Sequence, residues 1–383
     1  MRQPDHYSSK GSLPLTLLAA LLLGGAASAR AQSNARPLPP LPDAQVEVVA
    51  KLTQGPGNVA VTPNGRVILS QHQFYSPEVR VVELLKDGRT VPFPTERWAR
   101  APGADGVGLN AVLGIRSDRQ GVVWMLDNGG EVPRVVAWDT QANKLHRVIP
   151  IRAPATRRGS LHNDLAVDLS NGALYLADIS GDNGPAIVVV DLNTGAARRV
   201  LEGHASVQAE DIPTVIEGRP LRQRQPDGTV RIARVGLNPI TIDPSSEWVY
   251  YGAMHGDDIW RVRTRDLIDV SLAPDELNRR VERYGTKPPS DGIAIDSAGH
   301  VYVTDITRKA IGVTGPSGTY RLYAQDDERL AWPDGISAGP DGWMYATVNK
   351  LHRSAALNGG ESLSEPPYYL VRFRSVGTAV PRR

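Results

Sequence analysis

The sequence contains no cysteine, which excludes disulfide bonds, thiolate metal sites and cysteine nucleophiles. Phenylalanine is scarce as well, with 3 residues in a chain of 383, so Val, Ile, Leu, Tyr and Trp must supply the core. Glycine and proline, in contrast, are plentiful, at 37 and 30 residues, and they separate short apolar runs. This composition is typical of an all-β protein with many turns.

The first 31 residues have the layout of a secretory signal. Lys10 precedes the apolar run 13–23, and small residues allow cleavage after Ala29 or Ala31. The apolar run is short for a membrane-spanning helix. Four prolines in 32–43 then predict an extended leader. We therefore predict a signal peptide at 1–31, a proline-rich leader at 32–43, one domain at 44–383, and a secreted or periplasmic location.

No strong excess of charge of either sign is present, since the formal net charge is +2. Loss of 1–31 removes Arg2, Lys10 and Arg30 together with Asp5, and the mature chain is then neutral. A neutral chain lacks the basic excess that attracts nucleic acid or anionic membranes. We expect neither as a partner after signal cleavage. The oligomeric state does not follow from these features.

An Asn or Asp opens a strand–turn–strand pattern six times along the chain. The six openers are Asn58, Asn110, Asn163, Asn238, Asp291 and Asp334. Repeats of about 50 residues with four short strands each are typical of a β-propeller. The sixth unit lacks a fourth strand, which 44–52 can supply. The prediction is a six-bladed β-propeller closed by an N-terminal strand, with an extra hairpin or loop at 203–235 over one face and a short helix at 273–284.

The openers are expected to share one face of the propeller, because the first strand of a blade begins where the second strand ends. The same geometry places further polar residues on this face or near it: His72, Asp127, Asn128, Asp178, His255, Asp305, Asn349, His162 and His352. Trp332 borders a loop on this face and suits contact with an organic ligand. We predict that the six openers and Trp332 bind a small molecule.

The chemistry of the openers leaves alternatives open. Amide and carboxylate oxygens suit Ca²⁺ or Mg²⁺, but they also suit a polar or cationic small molecule. Each opener also has a purely structural interpretation, as a cap that satisfies loop amides. His255 and His162 are candidate proton carriers, because histidine titrates near neutral pH, and a structural role for each is an equal alternative.

Several phrases of the chain resemble the major royal jelly protein/yellow family. They are GLNAVLGIRSD with VWMLDNG, LHNDLAVD, GLNPITIDPSSEWVYYGAMHG, SDGIAID with VYVTDI, and WPDGISAGPDGWMYATVN. The resemblance runs from about 44 to 375 and implies a secreted six-bladed propeller. Members of that family include dopachrome-converting enzymes, nutritive proteins and salivary proteins that bind biogenic amines in the central channel.

A more distant resemblance is to gluconolactonase/regucalcin-type propellers, in which a Glu, Asn residues and an Asp hold a divalent cation beside the lactone. SDGIAID, GLNPITID and LHNDLAVD match those phrases, and the resemblance thus implies metal ligation by Asp291, Asn238 and Asn163. Asn58 stands where that family has its Glu, so one anionic ligand is missing.

Three functions follow as hypotheses. The first is a royal jelly/yellow-type protein that binds a small polar or aromatic molecule in its channel, with a tautomerase-like proton shift carried by His255 or His162. The second is a metal-dependent lactonase that uses Ca²⁺ or Mg²⁺. The third is a binding or scaffold protein without turnover, and in that case no cofactor is required.

Overall fold

The computed structural model describes residue 41 and residues 45–180, 184–225 and 227–381. These residues form six four-stranded antiparallel sheets and two small hairpins. The arrangement is the six-bladed β-propeller predicted from the repeat, and the fold prediction is confirmed.

The strands follow the chain blade by blade, except that the first strand belongs to the last blade. The strand β1 (Val46–Leu52) precedes blade 1, which contains β2 (Pro56–Val61), β3 (Val67–Gln71), β4 (Val81–Leu84) and β5 (Thr90–Pro92). Blade 2 contains β6 (Val112–Ser117), β7 (Val122–Asp127), β8 (Arg134–Asp139) and β9 (Lys144–Pro150). Blade 3 contains β10 (His162–Asp168), β11 (Ala173–Asp178), β12 (Ala186–Asp191) and β13 (Ala197–Val200).

Two hairpins and the remaining blades complete the chain. The hairpins are β14 (Val215–Ile216) with β15 (Arg219–Pro220), and β16 (Arg222–Arg224) with β17 (Val230–Ile232). Blade 4 contains β18 (Leu237–Ile242), β19 (Trp248–Ala253), β20 (Asp258–Arg263), the helices α1 (Thr264–Ile268) and α2 (Pro274–Arg279), and β21 (Glu282–Thr286). Blade 5 contains β22 (Ser290–Ile295), β23 (Val301–Asp305), β24 (Ala310–Thr314) and β25 (Tyr320–Gln325). Blade 6 contains β26 (Pro333–Ala338), β27 (Trp343–Val348), β28 (Tyr368–Arg374) and β1.

The first strand of each blade lines the central channel. These six inner strands contact one another in a closed ring, in the order β2, β6, β10, β18, β22, β26 and back to β2. The strand β1 pairs antiparallel with β28, from Val46 opposite Phe373 to Leu52 opposite Tyr368. This pairing completes blade 6 with the N-terminal strand and leaves no open sheet edge at the seam.

The hydrophobic core lies between the blades rather than at the channel axis. Each of the six blade–blade interfaces has its own cluster of buried side chains. Ile68 packs in the same cluster as Ile115 and Met125 between blades 1 and 2, and Tyr175 shares a cluster with Tyr251 between blades 3 and 4. Because apolar burial holds the blades together, polar residues can be placed in the channel itself.

Residues 203–235 form the extra segment predicted between blades 3 and 4, and we call this segment the lid. It contains both hairpins, and Ile216, Leu221 and Ala233 are buried in its contact with the propeller. Their partners come from blades 4 to 6: Met254, Ile306, Trp332, Leu351 and Leu357. Backbone hydrogen bonds add to this contact, including Arg222 N–H to Leu357 O at 3.1 Å. The lid therefore covers part of one end of the channel.

The helix predicted at 273–284 is the shorter α2, whose second residue Asp275 and neighbour Glu276 lie in the first turn near the positive end of the helix dipole. The predicted signal peptide lies outside the described residues, as does the predicted leader apart from residue 41, and both stay predictions. Among the described residues, no helix has the length and apolar character needed to cross a membrane.

Candidate functional site

A β-bulge lies near the start of every inner strand, and in most blades it directs a polar side chain into the channel. Each bulge adds one residue to the inner strand relative to its neighbour. Bulges of this kind bend a strand and change the direction of its side chains. Blades 3 to 6 place a polar residue at the same position of the bulge, and these residues are Asn163, Asn238, Asp291 and Asp334. Four of the six predicted openers thus lie together.

Three of these side chains form a hydrogen-bonded row across blades 3 to 5. The Asn163 amide donates to Asn238 Oδ1, and Asn238 Nδ2 donates to Asp291 Oδ1 at 2.5 Å. Trp332 Nε1 donates to the second oxygen, Asp291 Oδ2, at 2.7 Å. Trp332 is fully buried and has a φ of 64°, a left-handed conformation that is strained for a bulky side chain. Asp291 is therefore held by hydrogen bonds from two neighbouring blades.

On the opposite side of the channel, Arg116 of β6 connects blades 1 to 3. Its guanidinium Nη1 donates to Asn58 Oδ1 at 2.6 Å, and Nη2 lies 2.5 Å from Asp164 Oδ2. Asn58 Nδ2 also donates to Asp164 Oδ1 at 3.2 Å. All three side chains are buried. The sequence interpretation identified Asn58 but missed Arg116 and Asp164, although an Arg within the apolar run VLGIRS was an available signal.

Asn110 does not lie with the other openers. It precedes the bulge of blade 2, and its side-chain amide lies 3.4 Å from Asp127 Oδ2. The bulge of β6 instead contains Leu113 and Gly114, and a Cβ on Gly114 would lie 2.7 Å from Asn163 O. Glycine permits this close approach of two inner strands. Asn110 is thus not part of the ring, and it lies eleven residues before the turn glycine Gly121, whereas Asn58 lies seven residues before Gly65.

The polar ring surrounds a small space that we call the inner cavity. Its volume is about 20 Å³, enough for one water-sized guest. Asn58, Asn163, Asp164, Asn238, Asp291 and Asp334 all line it. Burial raises the pKa of Asp291 to about 6. Burial and the neighbouring Asp291 carboxylate also raise the pKa of Asp334 well above its ordinary value, although this side chain is partly exposed. The inner cavity thus concentrates carboxylates that resist ionisation.

A second space, the mouth cavity, lies between the polar ring and the lid. Its volume is about 80 Å³, and Asn163, Asn238 and Asp291 belong to its wall as well as to that of the inner cavity. Its other lining side chains are largely apolar and include Leu113, Ile179, Leu221, Met254, Trp332 and Leu351. A polar floor with apolar walls is typical of small-molecule sites.

Two histidines line the mouth cavity, and both are held by backbone amides. His255 Nδ1 accepts a hydrogen bond from Val235 N at 3.0 Å, and His72 Nδ1 accepts one from Phe74 N at 3.2 Å. Burial lowers the pKa of His255 to about 4 and that of His72 to about 3. Both imidazoles are therefore neutral at pH 7, and with Nδ1 as acceptor the proton resides on Nε2. His255 is thus a hydrogen-bond donor with no free lone pair to act as a base.

His162, the other predicted proton carrier, lies apart from both cavities. It is buried, and its Nε2 lies 3.3 Å from Thr156 Oγ1. Burial lowers its pKa, while the nearby Asp178 carboxylate opposes that effect. These contacts describe a structural histidine and argue against proton transfer to a ligand by His162.

The acidic residues at the ends of second strands have structural partners. Asp127, Asp178 and Asp305 each pair with an Arg of the same blade, namely Arg134, Arg199 and Arg308, with N–O distances of 3.0, 2.5 and 2.9 Å. Asp127 and Asp178 also accept backbone N–H groups just before the inner strand. Two residues at the ends of second strands do approach the ring. His72 lines the inner cavity, and Asn349 Nδ2 donates to Asp334 Oδ2 at 2.7 Å.

The three residues predicted to hold a metal do not form a ready coordination site. Asn238 Oδ1 and both oxygens of Asp291 already accept N–H groups, and the set contains one carboxylate. Divalent cations in proteins take six or more oxygen ligands and favour several carboxylates. Within the described part of the chain, no three His, Asp or Glu side chains are placed to share a metal ion. The Ca²⁺ or Mg²⁺ site stays a prediction.

Solved structures resemble this chain in fold. A gluconolactonase from Xanthomonas campestris has a TM-score of 0.53 and 11% identity over 88% of this chain and 90% of its own. A PQQ-bound aldose sugar dehydrogenase from Streptomyces coelicolor has a TM-score of 0.51 and 11% identity, with coverages of 88% and 99%. A putative glucose dehydrogenase from Thermus thermophilus has a TM-score of 0.51 and 16% identity, with coverages of 86% and 99%. At these identities the likeness concerns the fold alone.

The sequence comparisons are more specific. No curated protein matches the chain. The profile described as Major royal jelly protein matches residues 110–358, which is more than half of the sequence and runs from blade 2 into blade 6. The matched region includes the lid, Arg116, Asp164 and five of the six openers. The chain therefore belongs to the major royal jelly protein family.

Proposed function

We propose that this protein binds a small organic cation, an amine with an apolar or aromatic body, in the mouth cavity. The observation that carries the proposal is the position of Asp291, which belongs to the walls of both cavities. A ligand ammonium near Asp291 would leave the apolar body against Met254, Leu221 and the Trp332 ring.

The charge balance of the channel supports a cationic ligand. Arg116 compensates Asp164 directly, at 2.5 Å. Among the described residues, in contrast, neither Asp291 nor Asp334 forms an ion pair with a Lys, Arg or His side chain. A bound ammonium would supply the missing positive charge and favour the ionised form of Asp291.

Calorimetric titration with 2-phenylethylamine tests this proposal. We expect saturable binding to the wild-type protein and at least about a tenfold weaker affinity for Asp291→Asn, because a charge-assisted hydrogen bond contributes about 1.5–3 kcal/mol. Asp87→Asn is the matched control, since Asp87 lies in an exposed turn of blade 1. Equal affinity in wild type and Asp291→Asn, or no binding of the amine, would contradict the proposal.

A second candidate function is a proton shift within the bound molecule, the tautomerase-like activity that the family resemblance implies. It is favoured by the raised pKa of Asp291, about 6, because a general base works best when its pKa is close to the operating pH. Asp291 would replace His255 and His162 in that role. Following dopachrome absorbance with wild type and Asp291→Asn tests it, and equal rates would remove Asp291 as the base.

A further inference from the structure

A third space, which we call the outer cavity, is lined in part by the lid. Its volume is about 340 Å³, which is much larger than the two channel cavities. The first lid hairpin forms one side of it, and the segment that follows β27 forms the other. Leu221 and Leu357 line both this cavity and the mouth cavity, so the two spaces are separated by these side chains.

The charges around the outer cavity have the opposite balance to those of the channel. Its lining residues include two guanidinium groups, Arg219 and Arg353, and one carboxylate, Glu217. Glu217 is itself compensated by Arg353, which donates to both of its oxygens, at 3.1 and 2.5 Å, while Lys309 Nζ lies 3.6 Å from Oε1 and closer to Asp327, at 2.9 Å. His352 Nε2 lies 3.4 Å from Oε2. The cavity therefore has a net positive environment.

Arg219 is the other guanidinium that lines the outer cavity. Within the described residues its guanidinium forms no ion pair, and the residue is exposed at the edge of the cavity. Glu217 and Gly218 form the two-residue turn before it, with φ values of 53° and 74°. Such turns favour Asn, Asp or Gly, so a Glu here costs backbone energy that its ion pairs offset. The ion pairs fix the hairpin and hold Arg219 beside the cavity.

Apolar side chains complete the wall. Ile216, Pro220, Leu221, Leu357 and Leu363 all contribute to it. A guest that satisfies both features needs an apolar body and an anionic group that reaches Arg219 and the free N–H groups of Arg353. Guanidinium groups bind carboxylates well because their paired N–H donors match the two oxygens.

We propose that the outer cavity is a second ligand site, distinct from the channel, that binds a small organic carboxylate with an apolar body. This site does not depend on the amine proposal, because the two spaces have different lining charges and are divided by Leu221 and Leu357. A carboxylate would be repelled by Asp291 in the mouth cavity, whereas an amine would be disfavoured beside Arg219.

A pair of probes with the same body and opposite charge tests the assignment. Ligand-observed NMR titrations with phenylacetate and with 2-phenylethylamine are recorded on the full-length wild-type protein, Arg219→Gln and Asp291→Asn. We expect phenylacetate to bind wild type and Asp291→Asn alike, and to bind Arg219→Gln about tenfold more weakly. Arg231→Gln is the matched control, because Arg231 is exposed on the second lid hairpin and does not line the cavity.

Three results would overturn this inference. Phenylacetate that fails to saturate, or that binds Arg219→Gln as tightly as wild type, excludes a carboxylate site at Arg219. Phenylacetate that is displaced by 2-phenylethylamine would place it in the mouth cavity instead. Failure of the amine to bind leaves the comparison of wild type with Arg219→Gln intact, so the two proposals fail separately.

Discussion

Arg116 and Asp164 form an ion pair inside the central channel, with Nη2 2.5 Å from Oδ2 and both side chains buried. Arg116 is on blade 2 and Asp164 on blade 3, and the same guanidinium also reaches Asn58 of blade 1. The pair therefore joins three blades at their inner strands and closes one side of the polar ring.

Substitution of Arg116 by Met is expected to destabilise the protein by about 3–5 kcal/mol, because it removes the guanidinium that lies 2.5 Å from the buried Asp164 carboxylate. Urea unfolding measures the change. The double variant Arg116→Met with Asp164→Asn should lose less stability than the single variant, since the buried carboxylate is removed together with the guanidinium that compensates it. If the single and double variants lose the same free energy, the ion pair is not the cause.

Asp291 should make stability depend on pH below neutrality. Its folded-state pKa of about 6 lies above the ordinary value of 3.8, so the folded state binds a proton more readily than the unfolded state. The stability from this proton is present below about pH 4 and is lost as the pH rises through 6, by about 3 kcal/mol at most. Unfolding free energies at pH 4 to 7 should show a shallower fall in Asp291→Asn than in wild type. A parallel fall in both proteins would contradict this assignment.

Trp332→Phe should raise the pKa of Asp291 further, because it removes the N–H donor 2.7 Å from Oδ2 that favours the carboxylate. The pH midpoint for 2-phenylethylamine binding is then expected to move upward by about one unit, the equivalent of one charge-assisted hydrogen bond. Calorimetric titrations between pH 5 and 8 measure it. Trp343→Phe is the control, since Trp343 packs against Arg372 and Arg374, and an equal shift there would exclude a local cause.

His255→Gln should leave dopachrome consumption within about threefold of wild type, because Nδ1 already accepts the Val235 amide and Nε2 carries the proton. The absorbance assay that compares Asp291→Asn with wild type serves for this variant too. A loss of about a hundredfold in His255→Gln would restore histidine as the proton carrier.

Chelation followed by addition of Ca²⁺ or Mg²⁺ is expected to leave the unfolding midpoint unchanged, since the oxygens of Asn238 and Asp291 already accept protein N–H groups. Thermal denaturation measures the midpoint, and a lactone hydrolysis assay accompanies it. A rise in the midpoint on adding Ca²⁺ that Asp291→Asn abolishes would establish the metal site and favour the lactonase hypothesis.

The sequence predicted much of the ring because the bulge falls at the same place in the repeat. Asn163, Asn238, Asp291 and Asp334 lie at equivalent bulge positions, as the pattern indicated. Asn110 was misplaced because four extra residues separate it from its turn. Asn58 lies seven residues before Gly65, the turn glycine of blade 1. The residue seven positions before Gly121, the turn glycine of blade 2, is Gly114, so Gly114 is the equivalent of Asn58.

Counting residues along the repeat does not predict the partners of Arg116 or the hydrogen bonding of the histidines. Arg116 meets residues 48 and 58 positions away, and these contacts exist only when the ring closes. The role of His255 depends on which ring nitrogen meets the Val235 amide, and spacing along the chain does not specify this.

By itself the sequence determined the fold, because strand alternation, turn glycines and a period near 50 residues are local properties that repeat along the chain. The tertiary structure decided the chemistry of the channel. Burial sets the pKa of Asp291 and of His255, and both the pairing of Arg116 with Asp164 and the lid over the mouth depend on residues far apart in sequence. Electrostatic free energies depend on distance and solvent exposure in three dimensions, and a linear pattern contains neither.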